Sequence, residues 1–157
     1  MILVTVGTNE ARFDRLLEAL DGLGEREELL VQHGPSPVRP RGARCVEFLP
    51  FEELTAEMRR ARVVVTHAGV GSTIAALLNG KRPVVVPRRA RWREAVDDHQ
   101  VPFARRLHDA GLVHLVEDPA DVPAAVARAA GAEAVELRAN RRLVTELRSF
   151  LAERERA

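Results

Sequence analysis

Among its 157 residues the sequence has one cysteine, one tryptophan, no tyrosine and one lysine, Lys81, within 24 basic residues. Each scarcity excludes something. Cys45 cannot close an internal disulfide, and no second thiol or histidine accompanies it at metal or redox spacing, so a reducing compartment and no bound metal are expected. A net charge of +1 leaves no global attraction for nucleic acid, and no nucleic-acid partner is expected. No stretch approaches the roughly 18 apolar residues of a membrane helix. The opening "MILVTVGTN" has no positive leader and turns polar after six residues, as a first strand does and a signal peptide does not. A cytoplasmic chain is expected. Internal repeats and low-complexity tracts are also absent.

What is present is an alternation. Hydrophobic residues make up 46% and charged residues 30%, the balance of a globular domain, and the length suits one domain over 1–157. Short β-branched runs at 2–6, 29–33, 44–49, 62–67, 83–87 and 112–116 predict strands. Helical spacing predicts helices over 11–23, 51–61, 73–79, 99–110 and 120–130, with Asp118-Pro119 and Asp121 opening the last. Strands alternating with helices give a doubly wound, mainly parallel six-stranded α/β sheet of Rossmann-like type over 1–131. Residues 132–157 read as a charged C-terminal helix with Leu143, Leu147, Phe150 and Leu151 on one stripe. The loop 34–42, "GPSPVRPRG", carries three prolines and two arginines, and it is expected to be mobile or partner-facing.

The chemistry concentrates in "VVVTHAGVGSTIAALLNG", 63–80. Here a strand hands over to a helix at the carboxyl edge of the sheet, where ligands bind. Gly69 and Gly71 allow close backbone approach, the helix start offers free amides, and Ser72 and Thr73 add hydroxyls: a phosphate site. The Walker pattern fails because Lys81 lies after the helix. The dinucleotide fingerprint fails because Ile74 stands at the third glycine position and the motif follows the fourth strand. NAD is thereby strongly disfavoured, and NADP, whose 2′-phosphate could meet Arg88 or Arg89, less so. GxSxG is absent.

Two further loops reach the same edge. "VVVPRRARWREAVDDHQ" brings Arg88, Arg89, Arg91 and Arg93, followed by Asp97, Asp98, His99 and Gln100 at a helix start. The arginines suit a pyrophosphate, an anionic membrane surface or simple solvation. Asp98 suits a helix cap, and His99 and Gln100 suit sugar hydroxyls. After the first strand, Gly7, Thr8 and Asn9 form a polar turn. His67, at the mouth of the crevice, reads as a phosphate-binding or turn-fixing group ahead of a general base. His33, His108 and His114 read as structural.

With "VTVGT", "THAGVGS" and "DDHQ" in this order, the chain resembles the C-terminal, donor-binding domain of glycosyltransferase family 28 over roughly 1–117. It is especially similar to the stand-alone version that forms half of a split GT-B enzyme. Such a half belongs in eukaryotes to the UDP-GlcNAc transferase acting on dolichol-linked GlcNAc, and bacterial relatives serve exopolysaccharide assembly. The resemblance implies an inverting transferase that uses a UDP-sugar without a bound metal or other cofactor. It also implies a membrane-anchored, acceptor-binding partner subunit that supplies the catalytic base and holds the chain at the inner face of the membrane. By the same resemblance, Phe48 and Leu49 would hold the uracil. Gly7, Thr8 and Asn9 would line the phosphate and acceptor side, and His67, Ala68, Gly69, Gly71, Ser72 and Thr73 would cradle the diphosphate. Asp98, His99 and Gln100 would contact the sugar; Arg88 joins the donor-binding set on its charge, not on the resemblance. Family members often carry an acid for the ribose a few positions into the helix after the glycine loop, where this chain has Ala75. A non-catalytic nucleotide-binding regulatory module and an NADP-linked reductase are the competing readings.

Overall fold

The computed structural model describes residues 1–129, Thr145 and Ser149. Six parallel strands form one sheet: β1 (Ile2–Thr5), β2 (Leu29–Gln32), β3 (Ala43–Val46), β4 (Val63–His67), β5 (Val84–Val86) and β6 (His114–Leu115). Their order is β3-β2-β1-β4-β5-β6, the doubly wound Rossmann order, whose switch point lies between β1 and β4. Ile2 pairs with Leu29 on one side and Val63 on the other, and Thr5 pairs with Gln32 and Thr66. All three of these strands therefore end at the same level.

Successive strand residues point to opposite faces, and the core divides accordingly. Ile2, Val4, Val31, Val63, Val65, Val84 and Val86 meet helices α1 (Asp14–Glu18) and α5 (Val122–Ala129) on one face. On the other, Leu3, Leu30 and Val64 meet α2 (Phe51–Arg60) and α3 (Val70–Leu78), while Val85 meets α4 (Gln100–Asp109). Both faces are covered, so the strands read as unbroken β-branched runs. The expected C-terminal helix over 132–157 lies outside the described residues except for Thr145 and Ser149, which are helical.

The strands are mostly shorter than expected, β3 ending at Val46 and not at 49, α5 begins at Val122 and not at 120, and three further differences bear on the site. Helix α1 is shorter than 11–23, although Phe13, Leu16, Leu17 and Leu20 are all fully buried as the spacing demands. The carbonyls of Ala11 and Arg12 are occupied by the Arg88 guanidinium, and Gly22 turns the chain at φ 79°, so both ends are stopped. Helix α3 begins earlier than expected, at Val70, because Gly69 is extended (φ −77°, ψ 136°) and its carbonyl already accepts from Thr73 N at 3.0 Å. The loop 34–42, expected to be mobile or partner-facing, is held to the body of the domain by side-chain contacts. Ser36 is buried and donates to the Asp14 carboxylate, Arg39 donates to Ser36 O at 2.7 Å, and Arg41 pairs with Asp21 at 2.9 Å.

Candidate functional site

The carboxyl edge at the switch point opens into a cavity of about 400 Å³. Four chain segments build it. The β1 exit contributes Thr5, Gly7 and Thr8, the end of β2 contributes Gln32, the β3–α2 connection and the start of α2 contribute Phe48, Leu49 and Phe51, and the β4–α3 turn and the start of α3 contribute His67, Gly69, Gly71 and Ser72. Helix α3 points its N-terminus at this space. The amides of Val70, Gly71 and Ser72 have no place in the helical ladder, whereas Thr73 N closes the first bond to Gly69 O. Free amides at the positive end of a helix dipole form an anion site.

The glycines here have separate reasons. Gly7 lies at φ +78°, and a Cβ on it would stand 2.4 Å from His67 Cε1; one on Gly69 would stand 2.1 Å from His67 Nε2. The imidazole is thus clamped between the two turns that flank the switch point. Gly71 is different: a Cβ there meets nothing within 4 Å, yet the residue lines the cavity. Its missing side chain leaves room for a ligand and relieves no internal clash.

His67 is 8% exposed. Burial, and then the positive charge of Arg88, lower its pKa to about 4. It is a neutral ring at physiological pH, suited to a single hydrogen bond toward a ligand and a poor proton acceptor. Beneath it, Gln32 accepts from Thr5 Oγ1 at 2.7 Å and donates to Gly7 O at 3.1 Å and Glu47 O at 2.8 Å. One buried carboxamide therefore ties the β1 exit turn to the β3–α2 connection.

Of the expected site residues, Gly7, Thr8, Phe48, Leu49, His67, Gly69, Gly71 and Ser72 converge on the cavity. The others lie elsewhere. Asn9 Oδ1 accepts from Ala11 N at 2.7 Å, closing its own turn. Ala68 packs with Phe103 and Leu107. Thr73 is fully buried, and its hydroxyl has no hydrogen-bond partner among the described residues.

Arg88, expected at the diphosphate, is 0% exposed. It donates to the carbonyls of Val6 (2.8 Å), Ala11 (2.9 Å), Arg12 (3.3 Å) and Glu94 (3.0 Å), with its guanidinium 4.8 Å from the Phe13 ring centre. Desolvation lowers its pKa to about 10, so it remains a buried cation. Gln100 Oε1 accepts from Arg88 N at 3.0 Å. Asp98 leaves α4 uncapped and accepts instead from Ala90 N at 2.8 Å, while the His99 ring turns to the Asp97 carboxylate. Arg89 pairs with Glu117 at 2.6 Å, and Arg15 holds Glu94 through two bonds of 2.9 Å.

Ala75, the position where an acid for the ribose was looked for, lines the cavity, as do Thr5, Gln32, Phe51 and Leu54, which had not been singled out as contacts. For two of them a signal existed. Thr5 and Gln32 are polar residues closing apolar strand runs, "ILVT" and "LLVQ", and they mark the carboxyl edge as the glycines do. Among the described residues no group of three His, Cys, Asp or Glu side chains could hold a metal ion, and no helix is long and apolar enough to cross a membrane.

A doubly wound parallel sheet, with a glycine turn and a helix N-terminus opening at its switch point, defines the Rossmann-like class of nucleotide-binding half-folds. Residues 1–149 match the Glycosyltransferase family 28 C-terminal domain, and the chain belongs to that family. The protein named UDP-N-acetylglucosamine transferase subunit ALG13 from Mus musculus is 31% identical over 122 residues, which is 69% of this chain and 10% of that protein. Its namesake from Yarrowia lipolytica is 43% identical over 56 residues, 36% of this chain and 26% of that one. The chain thus corresponds to a minor part of the length of these relatives. Among solved structures, the glycotransferase of kitacinnamycin matches with TM-score 0.63 and 22% identity, covering 95% of this chain and 39% of that one. CalG4, the calicheamicin glycosyltransferase, matches with TM-score 0.56 and 19% identity, over 96% and 38%. At these identities the two share its fold.

Proposed function

We propose that this chain is the donor-binding subunit of an inverting glycosyltransferase that moves a hexose or N-acetylhexosamine from a UDP-sugar to a lipid-linked or polysaccharide acceptor. The observation that carries this reading is the α3 N-terminus opening into the 400 Å³ cavity between the Gly7 turn and the β3–α2 connection. The span suits a nucleoside diphosphate. The base lies against Phe48 and Leu49, and the phosphates sit on the amides of Val70, Gly71 and Ser72.

In this mechanism an acceptor oxygen bonds to the anomeric carbon from the face opposite the diphosphate, and the bond from that carbon to the phosphate oxygen breaks. The hydroxyl proton passes to a base on a second subunit. Negative charge grows on the departing UDP, and the fixed amides of α3 stabilise it without reorganising. Among the described residues His67 is the one titratable side chain lining the cavity, and its pKa of about 4 gives it a hydrogen-bonding task. The reading needs no metal and has the chain work in the cytoplasm beside a membrane-anchored, acceptor-binding partner; of this, the name of the ALG13 relatives, a transferase subunit, supports the existence of a partner chain.

A millimolar UDP-sugar is expected to raise the melting temperature of the isolated chain, while transfer to a simple acceptor stays near background until the partner is added. No shift with any UDP-sugar overturns the donor assignment; strong turnover by the chain alone overturns the two-subunit part. The lack of any carboxylate among the cavity residues favours one second reading, a non-catalytic nucleotide-binding module. That reading predicts that Gly71→Ala alters regulation of polysaccharide assembly, whereas loss of assembly supports the transferase.

A further inference from the structure

A second concavity, of about 490 Å³, lies beside the nucleotide cavity between the β1–α1 connection and the β5–α4 loop. Its volume falls in the range of small-molecule sites, roughly 300–1,000 Å³. Trp92 forms one wall at 56% exposure, with the Arg91 guanidinium 5.4 Å from its ring centre. Around it stand Glu10, Arg12, Asp14, Arg15, Arg93 and Glu94.

The aromatic is held in place from below. Arg93 is the one non-glycine residue at positive φ, 57°, among the described residues, and such an outlier persists only when its surroundings fix it. Here the next residue, Glu94, is buried and held by Arg15 at 2.9 Å and by Arg89 N at 3.0 Å. The tryptophan is thus presented to solvent on a fixed support, a geometry that lowers the entropy cost of binding.

We infer that this groove binds a neutral saccharide on the acceptor side of the reaction, which gives the chain a direct part in acceptor recognition. A pyranose offers a face of C–H groups and a rim of hydroxyls. A half-exposed indole matches the first, and planar carboxylates and guanidiniums match the second. The lining holds three arginines and three carboxylates, with Arg12 paired to Asp14 and Arg15 to Glu94, and Arg91 on the tryptophan adds one cation beyond that balance. Charges already paired in this way offer little to a phosphate or an anionic bilayer. Position adds to this: Thr8 lines the nucleotide cavity and Glu10 lines the groove, so a single residue of the turn, Asn9, separates them. The acceptor assignment rests on the donor reading above, whereas saccharide binding itself is measured independently.

Because the chain has one tryptophan and no tyrosine, its intrinsic emission reports on Trp92 directly. Titration with N,N′-diacetylchitobiose and with maltose is expected to give a saturable change for at least one, with a millimolar midpoint. Trp92→Ala should abolish binding by saturation-transfer NMR, and Trp92→Phe should retain it within a few-fold. The melting shift with UDP, recorded on the same samples, should not change, so failure of the donor site and failure of the groove are seen separately. An alkyl glycoside of the responding sugar separates the two sources. A midpoint equal to that of the free sugar supports a groove that reads sugar alone, and a lower one supports a lipid-linked sugar. Flat emission up to about 50 mM of both disaccharides overturns the inference, as does a response confined to UDP, to phosphatidylglycerol vesicles or to an added protein subunit.

Discussion

The β4–α3 turn and the β5–α4 loop stand side by side on the carboxyl edge, and both look like ligand-binding sequence. The first, built from glycines, leaves its donors free: the amides of Val70, Gly71 and Ser72 have no place in the helical ladder, and Gly71 and Ser72 line an open cavity. The second, built from arginines and aspartates, has consumed most of its own. Arg88 serves four backbone carbonyls, Arg89 serves Glu117, and Asp98 serves Ala90 N. Backbone amides at a helix start cannot turn away toward another partner, whereas a long charged side chain finds whichever carbonyl or carboxylate desolvation leaves in need. A charge run is therefore weaker evidence of a ligand than a glycine turn that opens a helix.

The sharpest way to break that contrast is Arg88→Met. It leaves the carbonyls of Val6, Ala11, Arg12 and Glu94 without this donor, and a loss of about 3–5 kcal/mol is expected by urea unfolding. A variant of normal stability that no longer binds UDP would return Arg88 to the ligand site and erase the difference between the loops.

The next effect is pH dependence from His67. Its folded pKa is about 4 against an ordinary 6.5, so between those values the unfolded chain holds the extra proton. Stability should fall as pH drops through that window and level off below it, by on the order of 3 kcal/mol. Equilibrium unfolding at pH 7, 5.5 and 4 measures this, and His67→Asn should flatten the slope. UDP affinity should carry no His67 inflection between pH 6 and 8. An inflection near 6.5 that His67→Asn removes would show a ring open to solvent, ready to act as a base.

The strands, the site edge and the cavity's main walls were legible in the sequence because each rests on short-range patterns. β-Branched runs mark buried strands, and glycines sit where backbone must turn or approach closely. Arg88 was not legible: the carbonyls of Val6, Ala11 and Arg12 lie 76 to 82 residues away along the chain, and no local spacing encodes such a partner. Gln32 shows the intermediate case. Its polarity at the end of "LLVQ" marks an edge, but its link from Gly7 to Glu47 appears only once β1, β2 and β3 lie in register. The early start of α3 escaped for a related reason. "GVGS" has low helix propensity, and the free space around Gly71 that makes helix acceptable there is tertiary.

A paired substitution within the glycine turn separates space kept for His67 from space kept for ligand. Gly69→Ala drives a Cβ into His67 and should cost about 1–3 kcal/mol. Gly71→Ala meets nothing and, inside the first turn of α3, should leave stability unchanged or raise it by about 0.5–1 kcal/mol. Thermal denaturation with and without UDP reads both terms. Gly71→Ala should keep its melting point and lose most of the UDP-induced shift. A full shift in that variant would move the phosphate away from the α3 N-terminus.

The smallest effect belongs to Asp98. Its carboxylate holds Ala90 N at 2.8 Å at an exposed position, so Asp98→Ala should cost no more than about 1 kcal/mol. Its value lies in what accompanies that loss. If the β5–α4 loop is wholly structural, UDP and a UDP-sugar should bind Asp98→Ala with the same ratio as the parent chain. If the sugar depends on this loop, UDP-sugar affinity should fall several-fold while UDP affinity holds, because the two ligands differ only in the hexose. That second outcome would restore a ligand-binding role to one end of the arginine loop and confine its structural half to Arg88, Arg89 and Glu94.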